Sequence, residues 1–565
     1  MSASNEDEHR ITAEDIAEEV VADAMDQDPS AAAGGAAGKE GHAGSSGAGE
    51  EDDAMDEDDE DDFNPIQDTS LASFPAHAPK SVFAVALHPA YPSPPWALSG
   101  GEDDKAHIWD AISGEMIAVL QGHTDSVISV GWSADGKMAA SASMDGTVKV
   151  WTAAGTATQG ADGVEDVNAA WTACATLEGP DEITWMAWHP KGPVLVAGAQ
   201  DGTVWMWQLP AGNVMQVFSG HTSACTCGQW TPDGKRLLTA SEDASLLLWD
   251  PRVATPVSKL NPHSEPRFQP YAESGGITSL AISPDNEGGK VAVVGGAGGH
   301  LRVVSLPPVS GEGGSLQVRA VLEGHQDGDS VEAIEFIDLL GATGTPANWT
   351  SVVTVSTDGR AIVWDLATNK ARLSVSHPTA TAIADASEGA AVAPSAAPTP
   401  ASSSSKIPLA PITSLAVHKG TPMFTTAAAP DPSAIPARPA LNPISENGGA
   451  QQQQPSAQHG EEDEDISPHG TLCTWDARTG ALLALHTGFL DGVLDVAVGV
   501  DPDSSPDVSS PSVDAVALAM GGGSAGGART GAGSAAQMQA IRVGGGKRWT
   551  VVGAGDEGVA LVFRV

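Results

Sequence analysis

Short apolar runs, each closed by a polar turn, recur along most of this chain. The clearest unit opens at Gly122-His123-Thr124-Asp125 and passes through the apolar stretch Val127–Trp132 to the turn Ser133-Ala134-Asp135-Gly136. A second run, Met138–Ser143, leads into Asp145-Gly146 and then Thr147–Trp151. Apolar segments of strand length broken by Asp-Gly turns predict an antiparallel meander. Another copy starts at Gly220-His221 and carries Trp230, Pro232-Asp233-Gly234, Asp243 and Trp249 at matching places. In both copies the strand Trp follows the His at a spacing of nine.

The tightest marker is an Asp six residues before a Trp: Asp103/Trp109, Asp145/Trp151, Asp201/Trp207, Asp243/Trp249 and Asp358/Trp364. Two of the Trp-to-Trp intervals are 42 residues, a repeat length at which each unit buries its apolar face against its neighbours. These residues resemble WD40 repeats. The resemblance implies an all-β fold, a WD40 β-propeller, with a hydrogen-bonded network of His, strand Ser or Thr, turn Asp and Trp inside a blade. His123, Asp145, Trp151, His221, Asp243, Trp249, His325, Asp358 and Trp364 are then structural residues of the second, fourth and sixth blades.

Other units depart from the pattern. The first lacks the Gly, and the third replaces Gly-His by Gly179-Pro180. The fifth has neither Asp nor Trp, the seventh has His469 in the Asp slot before Trp475, and the eighth has Phe563 in the Trp slot. Eight blades are expected, with inner strands near Val82–Leu87, Val127–Trp132, Ile183–Trp188, Ala224–Trp230, Ile277–Ile282, Val331–Phe336, Ile412–Val417 and Val493–Val498. A ring of seven with one unit misread is the competing count. The last unit is one outer strand short, and Thr69–Phe74 is expected to supply it, closing the ring. The propeller is placed at 67–565, with low-complexity insertions near 152–168, 378–406, 427–468 and 501–546. A disordered acidic tail is expected at 1–66.

Charge sharpens this picture. Net charge is −46, and residues 1–62 hold 22 of the 73 acidic residues against only Arg10 and Lys39. The remainder is also acidic, at −26. Such a field repels nucleic acid and attracts basic partners. Four cysteines, none in a C-x-x-C, argue for buried thiols rather than disulfides or metal; Cys225 and Cys227, two apart, are expected on one strand face. No apolar run spans a membrane and no secretory leader is visible, so an intracellular, soluble protein is expected, cytoplasmic with the nucleus as a further location; a monomer is expected. Gly544-Gly545-Gly546-Lys547 is followed by Arg548 instead of Ser or Thr, and by a strand instead of a helix, which removes the phosphate-loop reading. No nucleophile–base pair or metal spacing stands out; no enzyme activity, metal or cofactor is expected.

On the propeller scheme, one face gathers the connections into the inner strands and the turns between second and third strands. The first set of loops carries Asp125, Asp181, Glu182, Glu273, Asp327, Asp329 and Asp491; the second carries Glu102, Asp104, Glu242 and Asp556. A ring of carboxylates suits a Lys/Arg-rich protein segment. The acidic tail, Ser81–Pro89, Gly100-Gly101-Glu102-Asp103-Asp104 and about eight repeats together resemble the angio-associated migratory cell protein family. That family's fungal members include a dedicated chaperone of a large-subunit ribosomal protein. The resemblance implies capture of the basic N-terminus of such a client for ribosome assembly. The competing readings are a signalling or migration scaffold and a substrate receptor of a ubiquitin ligase.

Overall fold

The structure is a computed structural model and describes residues 68–153, 171–179, 181–284, 289–308, 314–339, 350–378, 409–429, 470–501 and 548–565. The acidic tail and most of each expected insertion lie outside these residues, as do Pro180 and His469. The described chain folds into eight four-stranded antiparallel sheets. Their innermost strands are Val82–Leu87, Val127–Trp132, Ile183–Trp188, Cys225–Trp230, Ile277–Ile282, Val331–Ile337, Ile412–Val417 and Val493–Val500. Each touches the next in chain order and the eighth touches the first, so the sheets form a closed ring of eight blades.

Closure uses the N-terminal side of the ring. Ala72–Phe74 pairs antiparallel with Ala560–Arg564 as the outer strand of blade 8. Leu71 N–H donates to Val562 and Thr69 N–H to Thr487, so the closing segment spans the seam between blades 7 and 8 as well. Pairing the two ends removes a sheet edge that would otherwise present free backbone groups.

The core is eight cores, one per seam. Each apolar cluster draws on two adjacent blades: Leu98, Ile108, Val127 and Trp151 join blades 1 and 2, and Phe74, Val82, Trp109 and Val552 join blades 8 and 1. Every sheet is therefore covered on both faces, which is why inner and middle strands read as near-continuous apolar runs.

All eight inner strands carry a β-bulge at their second residue. In blades 3, 4, 5 and 7 that residue is Thr, and its hydroxyl crosses the seam. Thr184 donates to Cys225 O at 2.5 Å, Thr226 to Ile277 O at 2.6 Å, Thr278 to Val331 O at 2.8 Å and Thr413 to Val493 O at 2.6 Å. The bulge also corrects the expectation for Cys225 and Cys227. The extra residue between them sends Cys225 into the seam with blade 3 and Cys227 against the seam with blade 5. Burial raises both thiols, Cys225 well above and Cys227 to about 12.

Candidate functional site

Strand alternation decides which loops share a face. Inner strands run away from one end of the ring, so the turns between second and third strands return to that end, together with the loops entering each inner strand. Backbone bonds tie the two sets together in every blade. Glu102 N–H donates to Ser81 O, Met144 to Ser126, Gln200 to Glu182, Glu242 to Ala224, Ala297 to Gly276, Thr357 to Ser330, Ala429 to Pro411 and Asp556 to Gly492. The eight donors define an inner ring of positions on this top face. Carboxylates occupy it in blades 1, 4 and 8, and Glu182 faces it from the acceptor side in blade 3.

All eleven candidate carboxylates lie in these top-face loops and turns. Glu102, Asp125, Asp181, Glu182, Glu242, Glu273, Asp327 and Asp491 are exposed, whereas Asp104, Asp329 and Asp556 are half-buried. Several are held locally. Asp125, Asp181 and Asp491 each accept from the next residue's backbone N–H at 2.7 to 2.9 Å. Glu242 accepts from the Ser223 hydroxyl, and Glu273 from Gln269 within the short helix Gln269–Ser274. Asp556 accepts from Ser81 across the seam between blades 8 and 1. Among the described residues, no Lys, Arg or His forms an ion pair with any of the eleven. Lys105, on the same turn as Glu102 and Asp104, lies 3.9 Å from Asp103.

A second population of carboxylates sits just beneath. In blade 2, His123 bonds Asp145 at 3.0 Å and Ser141 at 2.9 Å, and Trp151 donates to Ser141 at 3.3 Å. Blade 6 repeats this with His325, Asp358, Thr354 and Trp364. In blade 4, Ser245 intervenes: His221 bonds it at 2.7 Å and Asp243 lies 3.7 Å away, while Trp249 donates to Thr239. Burial alone would raise the Asp243 carboxyl. Hydrogen bonds from His221, Ser245 and Thr222 outweigh it and hold the group far below the usual carboxylate range. These acids are consumed by the fold, whereas eight of the eleven above them stay exposed.

Blade 1 keeps the network without the preceding Gly, and blades 5, 7 and 8 fill its place with other residues. Blade 1 uses His77, bonded to Asp103 at 2.7 Å and Ser99 at 2.9 Å. Blade 7 uses His377, bonded to Thr426 and Thr471 at 2.9 Å each, with Trp475 donating to Thr426. Blade 5 inserts the buried Tyr271, whose hydroxyl donates to Val294 O at 2.9 Å beneath the Arg302 guanidinium. Blade 8 packs Phe489 against Phe563, and places half-buried Glu557 in the turn slot. Among the described residues, only His77, Asp103 and His107 gather as a metal ligand set. His77 is already committed to Asp103 and Ser99, so the trio reads as the blade 1 network with one histidine added. No helix among the described residues is long and apolar enough to cross a membrane.

The profile of the family "WD domain, G-beta repeat" matches residues 68–110, 114–152, 171–208 and 212–250. An uncharacterized WD repeat-containing protein of Schizosaccharomyces pombe is 33% identical over 318 residues, which is 56% of this chain and 70% of that protein. This chain belongs to the WD40-repeat family. It is homologous to the human angio-associated migratory cell protein, 33% identical over 318 residues, 55% of this chain and 64% of the relative. It thus spans less than two thirds of that relative's length. The ribosome assembly protein SQT1 of Saccharomyces cerevisiae is 27% identical over 289 residues, 47% of this chain and 60% of that protein. Among solved structures, Chaetomium thermophilum Sqt1 bound to the N-terminus of the ribosomal protein L10 shares the fold. Its TM-score is 0.56 at 22% identity, covering 88% of this chain and 100% of that one.

Proposed function

We propose that this WD40 protein is a chaperone and assembly factor for a basic protein of the large ribosomal subunit, holding the client's N-terminal segment on its top face. The observation that carries this reading is the ring of eleven carboxylates, eight of them exposed and none ion-paired among the described residues. Unpaired carboxylates fixed on rigid turns present a focused negative field. Lys and Arg side chains complete it with charge-assisted bonds, and the field steers them in. The L10-bound Sqt1 structure and the SQT1 relative supply the client class. The protein acts as a cytoplasmic monomer that covers the basic segment until ribosomal RNA takes it over. It needs no nucleic-acid contact of its own.

The test uses the full chain and a synthetic peptide of the L10 N-terminus. Tight binding at low salt that weakens steeply as salt rises is expected, because surface charge pairs are screened. Joint reversal of Asp125, Asp181 and Glu242 to Lys is expected to reduce affinity at least about a hundredfold, since lost and repulsive contacts sum to several kcal/mol. Unchanged affinity in that variant counts against the site and favours the adaptor reading suggested by the human relative.

A further inference from the structure

The inner rim is not uniform around the ring, and the difference falls at the bulged second residue of each inner strand. In blades 3, 4, 5 and 7 this residue is Thr, its hydroxyl spent on the next blade. In the three consecutive blades 8, 1 and 2 it is Leu494, Phe83 and Ile128. Each is half-buried although the residue before it (Val493, Val82, Val127) is fully buried. None of the three joins any of the eight apolar clusters. The loops above the same sector add Leu490, 66% exposed, and Met144, 39% exposed.

Large apolar side chains left half-exposed and outside every core, grouped in one sector, mark a contact surface. The carboxylates of that sector say what contacts it: Asp491 and Asp556 on blade 8, Glu102 on blade 1 and Asp125 on blade 2 lie in the top-face loops of the same three blades. We infer that the bound basic segment carries a bulky apolar side chain between its cations, and that this side chain seats on Phe83, Ile128 and Leu494 at the inner rim. The inference rests on the chaperone reading and adds its specificity. Charge attracts any basic segment, whereas the apolar seat selects one whose hydrophobic residue is spaced to reach the rim while its cations meet the ring. Hot spots of this build, an apolar anchor inside a polar rim, carry most of the affinity of protein interfaces.

The test compares two short arginine-rich peptides, identical except for a central Leu or Ser, titrated into the full chain by fluorescence anisotropy. The Leu peptide is expected to bind on the order of tenfold more tightly, the worth of burying one aliphatic side chain. The triple variant Phe83→Thr, Ile128→Thr, Leu494→Thr places at these sites the residue that four other blades carry there. It is expected to bind both peptides equally, at the affinity of the Ser peptide. Leu490→Ser, on an exposed loop, provides a second variant that leaves the inner strands untouched, and a smaller loss of the preference is expected. Equal binding of both peptides by the wild type overturns the apolar seat and leaves the chaperone reading standing. Binding of neither peptide at low salt overturns both. A wild-type dimer that the triple variant converts to monomer also overturns the seat, since the arc is then covered by a second copy of this chain.

Discussion

Blades 1 to 4 and blades 5 to 8 form two halves of one ring with the same architecture and different chemistry. The family profile matches the first half and ends at residue 250. In that half the buried network histidines His77, His123 and His221 each lie beside a carboxylate. Among the described residues of the second half, only His325 does. His377 lies between two threonines, His418 bonds Thr425, and His486 tilts against Phe563. Blade geometry therefore does not require the family's residues. In the second half threonine and aromatic partners stand in their place.

Acid should expose the difference most strongly. Burial pushes His377 and His418 down to about 3 and His486 to about 4, from an ordinary value of 6.5. The folded state keeps these rings neutral while the unfolded chain takes up protons. Stability is thus lost as pH falls from about 6.5 toward 4, by roughly 2 kcal/mol per histidine at pH 5. Burial acts oppositely on two inner-strand carboxyls, pushing Glu335 up to about 7 and raising Asp495, so acidification relieves part of the loss. Hydrogen exchange of the full chain between pH 7 and pH 5 is expected to show blades 7 and 8 losing protection first. Glu335→Gln, whose side-chain oxygen still accepts from Val417 N–H, should be more stable than wild type at pH 8 and steeper in its acid loss. Protection lost evenly around the ring would refute the division into halves.

The substitute in blade 5 gives the next largest effect. Tyr271 is fully buried, packs against Phe268 at 5.3 Å, and its ring faces Arg302 at 5.4 Å. Trp249 of blade 4 is equally buried and donates to Thr239. If Tyr271 fills the role that the family Trp network fills elsewhere, Tyr271→Ala and Trp249→Ala should destabilise alike, by about 3–5 kcal/mol each in denaturant titration. A loss below about 1 kcal/mol for Tyr271→Ala would show that blade 5 is carried by its neighbours alone.

The same comparison shows what a reader of the residues can see. Inner strands were legible because each is an apolar run ended by a polar turn, and seven of the eight starts coincide with the observed ones. Blade 4 begins one residue later, at Cys225 in place of Ala224. Strand closure at Thr69–Phe74 was legible from the outer strand missing in blade 8, although the paired residues are only Ala72–Phe74. His377 was not legible, because 94 residues separate it from its partner Thr471 and an insertion hides the pairing. Tyr271 was hidden in the same way, since it reaches its blade from a helical turn outside the repeat. The bulge at Thr226 was invisible because strict alternation assumes an unbroken register. The eleven carboxylates were legible one by one. The apolar arc inside them was not, since Phe83, Ile128 and Leu494 read as ordinary strand residues until the ring brings blades 8, 1 and 2 together.

The smallest effect separates the carboxylates of the top face from those beneath it. Glu102, Glu182 and Glu242 are exposed and unpaired among the described residues, and each touches the fold only lightly. Their joint neutralisation to Gln removes no core contact, so stability at physiological salt should stay within about 0.5 kcal/mol of wild type. At low ionic strength, where repulsion among these charges is less screened, the triple variant should melt slightly higher than wild type. Asp145→Asn is the counterpart below, expected to cost about 1–3 kcal/mol because it weakens the acceptor of His123, Thr124 and Thr147. Equal costs for the two would mean that the ring acids also hold the blades. A ring whose removal leaves the fold intact, and whose charge the fold must tolerate at some expense of repulsion, is one maintained for what it binds.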